Sequence, residues 1–233
     1  MSADFDRYTG EYRTIINRVS RLSGGNYEYF AELRLKLLKR ALASRSFVAP
    51  RRILDYGCGI GATALIMRTF FPESHIVGID TSPESISAAA GLGIINAEFH
   101  CISPDDHTLG TSAFDLIYTN GTFHHIGLSL LPPVVDALRT SLTREGNLFV
   151  FENNPRNPLM MKAMRDNPFD EGAVAIAAGD MVRLLTGAGF RVLCQEYYAF
   201  FPTWLGPLKN CEPLLRAVPF GAQYLTWARS TMT

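Results

Sequence analysis

An apolar run that ends in an acid, followed by three glycines at alternate positions, constrains the fold of this chain more than any other feature. The acid is Asp55, and the glycines are Gly57, Gly59 and Gly61. Glycine permits positive φ angles and lets the main chain approach a ligand closely. The pattern therefore predicts a buried parallel strand that turns sharply into a helix, with the amide groups of the turn facing a bound ligand.

The acid at the end of this strand discriminates between classes of ligand. Asp55 would repel a pyrophosphate but attract an ammonium or sulfonium group, by about 4 kcal/mol at about 4 Å when the effective dielectric constant is about 20. A second apolar run, residues 75–79, ends at Asp80. In a β-α-β unit Asp80 would lie at the tip of the neighbouring strand, where a carboxylate accepts hydrogen bonds from ribose hydroxyls. Asp80 therefore indicates a cofactor that contains a nucleoside, but it does not discriminate between the kinds of cofactor that carry one.

The acid and its glycines resemble motif I of the class I S-adenosylmethionine-dependent methyltransferases, and the resemblance covers roughly residues 50–230. The same glycines also satisfy the dinucleotide pattern G-x-G-x-x-G/A, so an NAD(P)-linked reductase stays open, as does an ordinary strand–turn–helix. The resemblance implies that S-adenosylmethionine is the cofactor and S-adenosylhomocysteine the product. It implies these cofactor contacts: Asp55, Gly57, Cys58, Gly59, Gly61, Asp80 and Thr81.

Strand and helix signals alternate along the middle of the chain. Strands are predicted near residues 52–56, 75–79, 97–102, 114–119 and 146–152, and helices near 61–70, 83–91 and 132–143. A helix near 179–188, a strand at 190–193 and a last strand at 222–228 follow. Alternation of this kind predicts a parallel sheet with helices on both faces. With the family's antiparallel last strand, the expected fold is α/β, a Rossmann-like, seven-stranded and mostly parallel sheet.

The whole chain is predicted to form a single methyltransferase domain with three parts. These are an N-terminal helical lid of two helices (1–48), a cofactor-binding core (49–152) and a substrate-side half (153–233) with a proline-rich insert at 199–220.

Composition and charge exclude several classes of partner. The 22 basic residues balance the 22 acidic ones, and the basic run at 34–40 alternates with leucine, as in a solvated helix face. A nucleic-acid partner is therefore not expected. The acidic N-terminus and the lack of a long apolar run predict neither a secretory signal nor a membrane span. The four scattered cysteines are typical of reduced thiols, so a cytoplasmic protein is expected. The protein is also expected to be a monomer or a homodimer.

The segments after the third and fourth strands complete the predicted cofactor site. The family carries an acid after the third strand that contacts adenine, but Ser103 stands at this position, with Pro104 and Asp105 behind it. Either Ser103 with main-chain amides or Asp105 would hold the adenine edge, and a simple turn with a helix cap explains these residues equally well. After the fourth strand, the resemblance places Asn120 and Gly121 beside the methionine part of the cofactor.

Two adjacent histidines and one glutamate are the candidate catalytic residues. His124 and His125 are either buried structure or face the pocket; a metal site would need further ligands, so no metal is predicted. Glu152 ends the fifth strand, where a buried charge needs a partner. It orients His124 or itself removes a proton from a hydroxyl acceptor. A carboxylate acceptor would need no base, and these residues would then only position it.

The predicted acceptor site combines a polar loop with aromatic residues. Asn153, Asn154 and Asn157 either bond the acceptor or form Asx turns that cap the strand. Their Glu-x-Asn-Pro-x-Asn-Pro setting resembles a subset of methyltransferases that act on sugars and secondary metabolites. Aromatic residues of the lid and insert complete the pocket, with core packing as the alternative for each: Tyr8, Tyr12, Tyr27, Phe201 and Trp204.

The expected function is methyl transfer to an oxygen of a small molecule. Nitrogen or carbon methylation on the same fold, an NAD(P)-dependent reductase and a non-catalytic S-adenosylmethionine-binding module are the alternatives. A leaving thioether is neutral, so such a transfer demands alignment, exclusion of water and, for a hydroxyl acceptor, a base.

Overall fold

A computed structural model describes residues 26–103 and 109–231 of the chain. The first predicted N-terminal helix, with Tyr8 and Tyr12, lies outside these residues, as do Pro104 and Asp105. The described part contains seven strands: β1 (Arg52–Tyr56), β2 (His75–Asp80), β3 (Ala97–Cys101), β4 (Phe114–Asn120), β5 (Leu142–Asn153), β6 (Phe190–Tyr198) and β7 (Gln223–Ser230). Its α-helices are α1 (Tyr27–Ala43), α2 (Ala62–Phe70), α3 (Pro83–Gly91), α4 (Leu131–Ser141), α5 (Pro158–Asp166), α6 (Ala178–Gly187) and α7 (Gly206–Lys209).

The seven strands form one sheet in the order β3-β2-β1-β4-β5-β7-β6. β1 pairs in parallel with β2 and β4, whereas β7 pairs antiparallel with both β5 and β6. The predicted fold class is thus confirmed, including the antiparallel last strand. The strand order reverses between β1 and β4, and such a switch point is where open α/β sheets bind ligands, outside the carboxyl ends of the strands.

Helices cover both faces of the sheet, as the alternating pattern predicted. On one face, Leu38 of α1 and Met67 of α2 pack in one buried cluster with Ile53 of β1. On the other face, Val135 of α4 and Met181 of α6 pack in a second cluster with the opposite side of the sheet. This two-sided burial explains why β1 reads as a nearly continuous apolar run rather than as an alternating one.

The helix starts follow from polar caps in the sequence. Asn26 accepts a hydrogen bond from Tyr29 N at the start of α1, and Ser82 accepts one from Ser85 N at the start of α3, with Pro83 behind it. Asparagine and serine satisfy amide groups that have no partner within the helix. None of the helices in residues 26–103 and 109–231 has the length and apolar character to cross a lipid bilayer.

Two strands are longer than the sequence predicted. β5 begins at Leu142, directly after α4, and β6 continues to Tyr198. In β6 the added residues pair with β7, from Cys194 opposite Trp227 to Tyr198 opposite Gln223. These added residues include Gln195 and Glu196, which carry no apolar pattern, so only the neighbouring strand makes them β structure.

Candidate active site

The glycine turn between β1 and α2 is held against the tip of β2. The amides of Gly57 and Cys58 both donate to Ile79 O, at 2.9 and 3.0 Å. Gly57 has φ +75°, and a Cβ atom there would lie 2.2 Å from Thr122 Oγ1. Glycine is therefore needed at this position for packing, in addition to its backbone conformation.

Gly59 differs from Gly57 because a side chain at its position would meet none of the described residues. It has φ +52°, and a Cβ atom built there meets nothing within 4 Å among the described atoms. Its amide donates to Asp80 Oδ2 at 2.8 Å, and Ser82 N donates to Asp80 Oδ1 at 3.0 Å. The turn therefore leaves space at the carboxyl end of β1, bordered by a carboxylate at the end of β2. Exposed Thr81 and Ser103 follow β2 and β3.

Asp55 is a buried carboxylate beside this space. It is 2% exposed, and its Oδ2 atom has no hydrogen-bond partner in the part of the chain that the structure describes. Burial and the neighbouring Asp80 raise the pKa of Asp55 to about 7, against the opposing effect of Arg34. A buried carboxylate without a partner costs free energy. This site therefore favours a ligand that brings a positive group.

Arg34 is a site residue that the sequence analysis missed. It was assigned to a solvated helix face, but it is 4% exposed. Its Nε donates to Tyr118 Oη at 3.1 Å and its Nη1 to Gln223 Oε1 at 3.5 Å. Arg34 follows Tyr27 and Ala31 at helical spacing and precedes Leu38, so helical periodicity was the available signal.

The surroundings of Arg34 are phenolic rather than acidic. Burial opposes its charge, but Tyr118, Tyr198 and Tyr27 raise its pKa. No carboxylate among residues 26–103 and 109–231 forms an ion pair with it. Within the same residues, Tyr198 Oη is buried without a hydrogen-bond partner. Asp55 and Arg34 thus set one negative and one positive buried group near each other.

At the tip of β4 the chain turns toward the two histidines. Asn120 is half-buried, and Gly121, with φ +62°, donates its amide to Phe151 O at 2.9 Å. A Cβ atom on Gly121 would lie 3.4 Å from His124 Cε1. The next turn is a 3₁₀ helix, Phe123–His125, and its His124 side chain contacts Glu152 near the end of β5.

The predicted histidine and glutamate meet in the interior. His124 Nδ1 lies 2.5 Å from Glu152 Oε2, and Phe123 N donates to Glu152 Oε1 at 2.9 Å. Both side chains are almost fully buried. Asp170, which the sequence analysis did not single out, brings its Oδ1 to 3.4 Å from His124 Nε2 and 3.6 Å from His125 Nε2.

The two histidines differ in their electrostatic surroundings. Burial opposes the charge of His124, but Glu152 and Asp170 outweigh it and raise its pKa to about 10. Burial and the neighbouring His124 lower the pKa of His125 to about 4. Their surroundings thus favour the charged form of His124 and the neutral form of His125.

The asparagines after β5 bond mainly to the protein itself. Asn154 Nδ2 donates to Pro219 O at 3.1 Å and to Gly221 O at 2.8 Å, and Asn154 Oδ1 accepts from Arg156 N. Asn157 caps α5 and donates to Phe220 O at 2.8 Å. Asn153 Oδ1 accepts from Gln223 Nε2. These contacts tie the β5–α5 loop to the end of the insert, as an Asx-turn series would.

The predicted aromatic residues occupy different positions. Tyr27 Oη lies 2.6 Å from Thr63 Oγ1, next to the glycine turn. Phe201 is half-buried, and its amide donates to Glu212 Oε1. Trp204 is 73% exposed. Cys58 is buried inside the glycine turn, where burial raises the pKa of its thiol above the usual range.

Asn154→Ala should destabilise the chain without weakening cofactor binding. Two hydrogen bonds to the insert and one to Arg156 N would be lost in a buried site, so the free energy of unfolding should fall by about 2 kcal/mol. Denaturant unfolding measures this, with Asn210→Ala, an exposed asparagine of the same insert, as the control. Unchanged stability with lost turnover would instead place Asn154 among the acceptor contacts.

This sheet order, with a glycine turn and two acids at the tips of β1 and β2, defines a Rossmann-like domain for an adenosyl cofactor. A family profile for methyltransferase domains matches residues 26–195. The chain belongs to the class I S-adenosylmethionine-dependent methyltransferases.

Curated relatives support the same family. The chain is 30% identical over 164 residues to trans-aconitate 2-methyltransferase of Methylobacterium nodulans, covering 65% of this chain and 59% of that protein. It is 28% identical over 206 residues to the enzyme of the same name from Mycobacterium sp. strain KMS, covering 81% and 75%. Malonyl-[acyl-carrier protein] O-methyltransferase of Legionella pneumophila is 29% identical over 118 residues, covering 48% and 42%. The chain thus spans only part of the length of these relatives.

Solved structures share the fold. A SAM-dependent methyltransferase from Archaeoglobus fulgidus superposes with a TM-score of 0.63 at 16% identity, covering 86% of this chain and 94% of that one. A TehB-like methyltransferase from Corynebacterium glutamicum gives 0.62 at 14% identity, covering all of both chains. At such identities the likeness describes the fold alone.

The described residues fit the family's cofactor, S-adenosylmethionine, by their chemistry. Its amino-acid end carries one ammonium and one carboxylate, which match the unpartnered Asp55 oxygen and the buried Arg34 guanidinium. Its ribose hydroxyls suit a carboxylate such as Asp80. The open side of Gly59 provides the space that a closely approaching ligand requires.

Proposed function

We propose that the chain transfers the methyl group of S-adenosylmethionine to a carboxylate oxygen of a small molecule. The observation that carries the cofactor half of this proposal is a pair of complementary buried groups: Asp55, just before the open glycine turn, and Arg34, which acts electrostatically on it. The bound cofactor supplies a sulfonium methyl group, and its departure leaves a neutral thioether. The protein residues hold the two reactants in line and exclude water.

In this proposal Asp55 binds the ammonium group and Arg34 the carboxylate of the cofactor's amino-acid end. Arg34 has further donors for this purpose, because its hydrogen bonds to Tyr118 and Gln223, within the described part of the chain, use Nε and Nη1 of its five N–H groups. Gly57, Cys58, Gly59 and Gly61 form the turn around the cofactor, and Asp80 and Thr81 border its ribose. Ser103 borders the adenine, and Asn120 and Gly121 border the methionine part.

Two features support an acid as the acceptor. The named substrates of the relatives, trans-aconitate and a malonyl group, are carboxylic acids. Within this chain, both ring nitrogens of His124 lie near carboxylates, at 2.5 Å from Glu152 and 3.4 Å from Asp170. The two carboxylates would fix the orientation of the His124 ring, which is suited to holding an acceptor in place. A carboxylate acceptor has no proton that must be removed before methyl transfer.

A hydroxyl acceptor is the second candidate, and the short contact between His124 and Glu152 favours it. The glutamate would orient the imidazole, and one of His124, His125 and Glu152 would take the hydroxyl proton. The remaining acceptor contacts under either proposal would come from Tyr27, Asn153 and Phe201, which lie near the strand tips.

The reaction can be tested with radiolabelled S-adenosylmethionine and a panel of small dicarboxylic, tricarboxylic and hydroxy acids. We expect label in a product that mild alkali releases as methanol, because a methyl ester hydrolyses under conditions that leave ethers and N-methyl groups intact. Calorimetry should give micromolar binding of S-adenosylhomocysteine and none of NADH. An alkali-stable product would overturn the carboxylate acceptor, and NADH binding would overturn the cofactor.

A further inference from the structure

We propose that His124, His125 and Asp170 form a binding site for a divalent transition-metal ion. Their three ligand atoms, an imidazole nitrogen from each histidine and one carboxylate oxygen, all lie within 4.8 Å of one another. The sequence predicted no metal, and the proposed metal site does not depend on the identity of the methyl acceptor.

The spacing of the ligand atoms suits a small metal ion better than direct hydrogen bonds. His124 Nε2 and His125 Nε2 lie 3.4 and 3.6 Å from Asp170 Oδ1. In a tetrahedral zinc site with bonds of about 2.0–2.1 Å, two ligand atoms are about 3.3 Å apart. The buried His124 Nε2 has no hydrogen-bond partner among residues 26–103 and 109–231, although it points toward this carboxylate. In the neutral ring, with the proton on Nδ1, this nitrogen has a lone pair that can bind a metal ion.

The residues that hydrogen-bond to His124 and Asp170 resemble those that support the ligands in known metal sites. His124 directs its other ring nitrogen to Glu152 Oε2 at 2.5 Å, and Glu152 is itself held by the amide of Phe123. Asp170 Oδ2 accepts a hydrogen bond from Asn167 Nδ2 at 2.9 Å, which leaves Oδ1 facing the histidines. Histidine ligands commonly bond a carboxylate through the second nitrogen, and ligating carboxylates are likewise hydrogen-bonded.

Charge balance also favours a dication. Glu152 and Asp170 bring two carboxylates into a site where their side chains are 1% and 10% exposed. Two neutral imidazoles and a divalent ion would give a neutral cluster, whereas one protonated imidazole would leave a negative charge buried. The set of two nitrogens and one oxygen suits zinc, cobalt and related first-row ions.

Three protein ligands leave a fourth tetrahedral position for water or another oxygen ligand, as in catalytic zinc sites. The site lies next to the tip of β4, where His124 Cε1 is 3.4 Å from the Cβ position of Gly121. Under the proposed function, the acceptor carboxylate would be the natural fourth ligand. This last point rests on the proposed function, whereas metal binding itself does not.

The probe for this site is Co²⁺, added to protein that has been stripped with a chelator. We expect visible absorption bands typical of tetrahedral Co²⁺ that saturate at about one ion per chain and disappear when Zn²⁺ is added. His125→Ala and Asp170→Asn should abolish these bands. Glu152→Gln should weaken Co²⁺ binding by about 10–100-fold, as loss of an outer-shell partner does.

His100→Ala is the matched control, because His100 is an exposed histidine that pairs with Glu98 outside the site. It should leave the bands unchanged. Absence of tetrahedral bands in the wild-type protein, or bands that survive in Asp170→Asn, would overturn the proposal. The Co²⁺ spectrum of the wild-type protein tests the proposal even if a variant fails to fold. It can be measured even if no methyl acceptor is found.

Discussion

Asp55→Asn should weaken the binding of S-adenosylhomocysteine by about 30-fold at pH 8. The carboxylate is buried and one of its oxygens has no partner among the described residues, so the ammonium group of the ligand would supply the missing contact. A hydrogen bond to a charged group contributes about 1.5–3 kcal/mol, and each 1.4 kcal/mol changes affinity tenfold. Isothermal titration calorimetry measures the difference directly.

The same carboxylate should make ligand binding depend on pH. Because its pKa is raised to about 7, Asp55 is mostly protonated at pH 6 and mostly ionised at pH 8. The ligand favours the ionised form, so wild-type affinity should rise about tenfold between these values. Asp55→Asn has no carboxyl group to titrate at this position and should show a flat profile.

The stability of the free protein should change with pH in the opposite direction. The folded state holds Asp55 with a raised pKa, so its contribution is favourable while the group is protonated and is lost as the pH rises from about 4 through about 7. Asp115→Asn is the control, since Asp115 binds the amides of Arg51 and Arg52 at the opposite end of the sheet. A pH profile in Asp55→Asn as steep as that of the wild type would contradict this account.

Gly57→Ala should lower the free energy of unfolding by about 3 kcal/mol. The left-handed conformation at φ +75° costs a non-glycine residue about 1–2 kcal/mol. The new Cβ atom would also lie 2.2 Å from Thr122 Oγ1. Such overpacking typically costs a further 1–3 kcal/mol, or about 2 kcal/mol. Denaturant unfolding monitored by circular dichroism measures the change.

Gly59→Ala is the matched comparison, because Gly59 shares the positive φ angle but a Cβ atom there meets none of the described residues within 4 Å. Its unfolding free energy should fall by only about 1 kcal/mol, while its affinity for S-adenosylhomocysteine should fall by tenfold or more, because the Cβ atom enters the ligand space. Adding Thr122→Ala to Gly57→Ala should recover about 1 kcal/mol. Equal destabilisation by both glycine variants would show that overlap with Thr122 is unimportant.

Much of the fold could be predicted from the sequence because its signals are local. The glycine turn after Asp55, the Ser82–Pro83 helix start and the buried apolar runs each follow from the conformational and hydrophobic preferences of a few neighbouring residues. The second half of β6 could not be predicted in this way, because residues such as Gln195 become strand only by pairing with β7.

The candidate site also combines features that local sequence patterns predict with contacts that only the folded chain creates. The sequence by itself determined the cofactor class, because the acid, the three glycines and the second acid at a strand tip all lie within one short β-α-β unit. Only the tertiary structure decided that Arg34 is buried and acts electrostatically on Asp55, and that Asp170 lies against both His124 and His125. These residues are distant in sequence, and their meeting depends on how helices and loops pack at the carboxyl edge of the sheet, which no local pattern encodes.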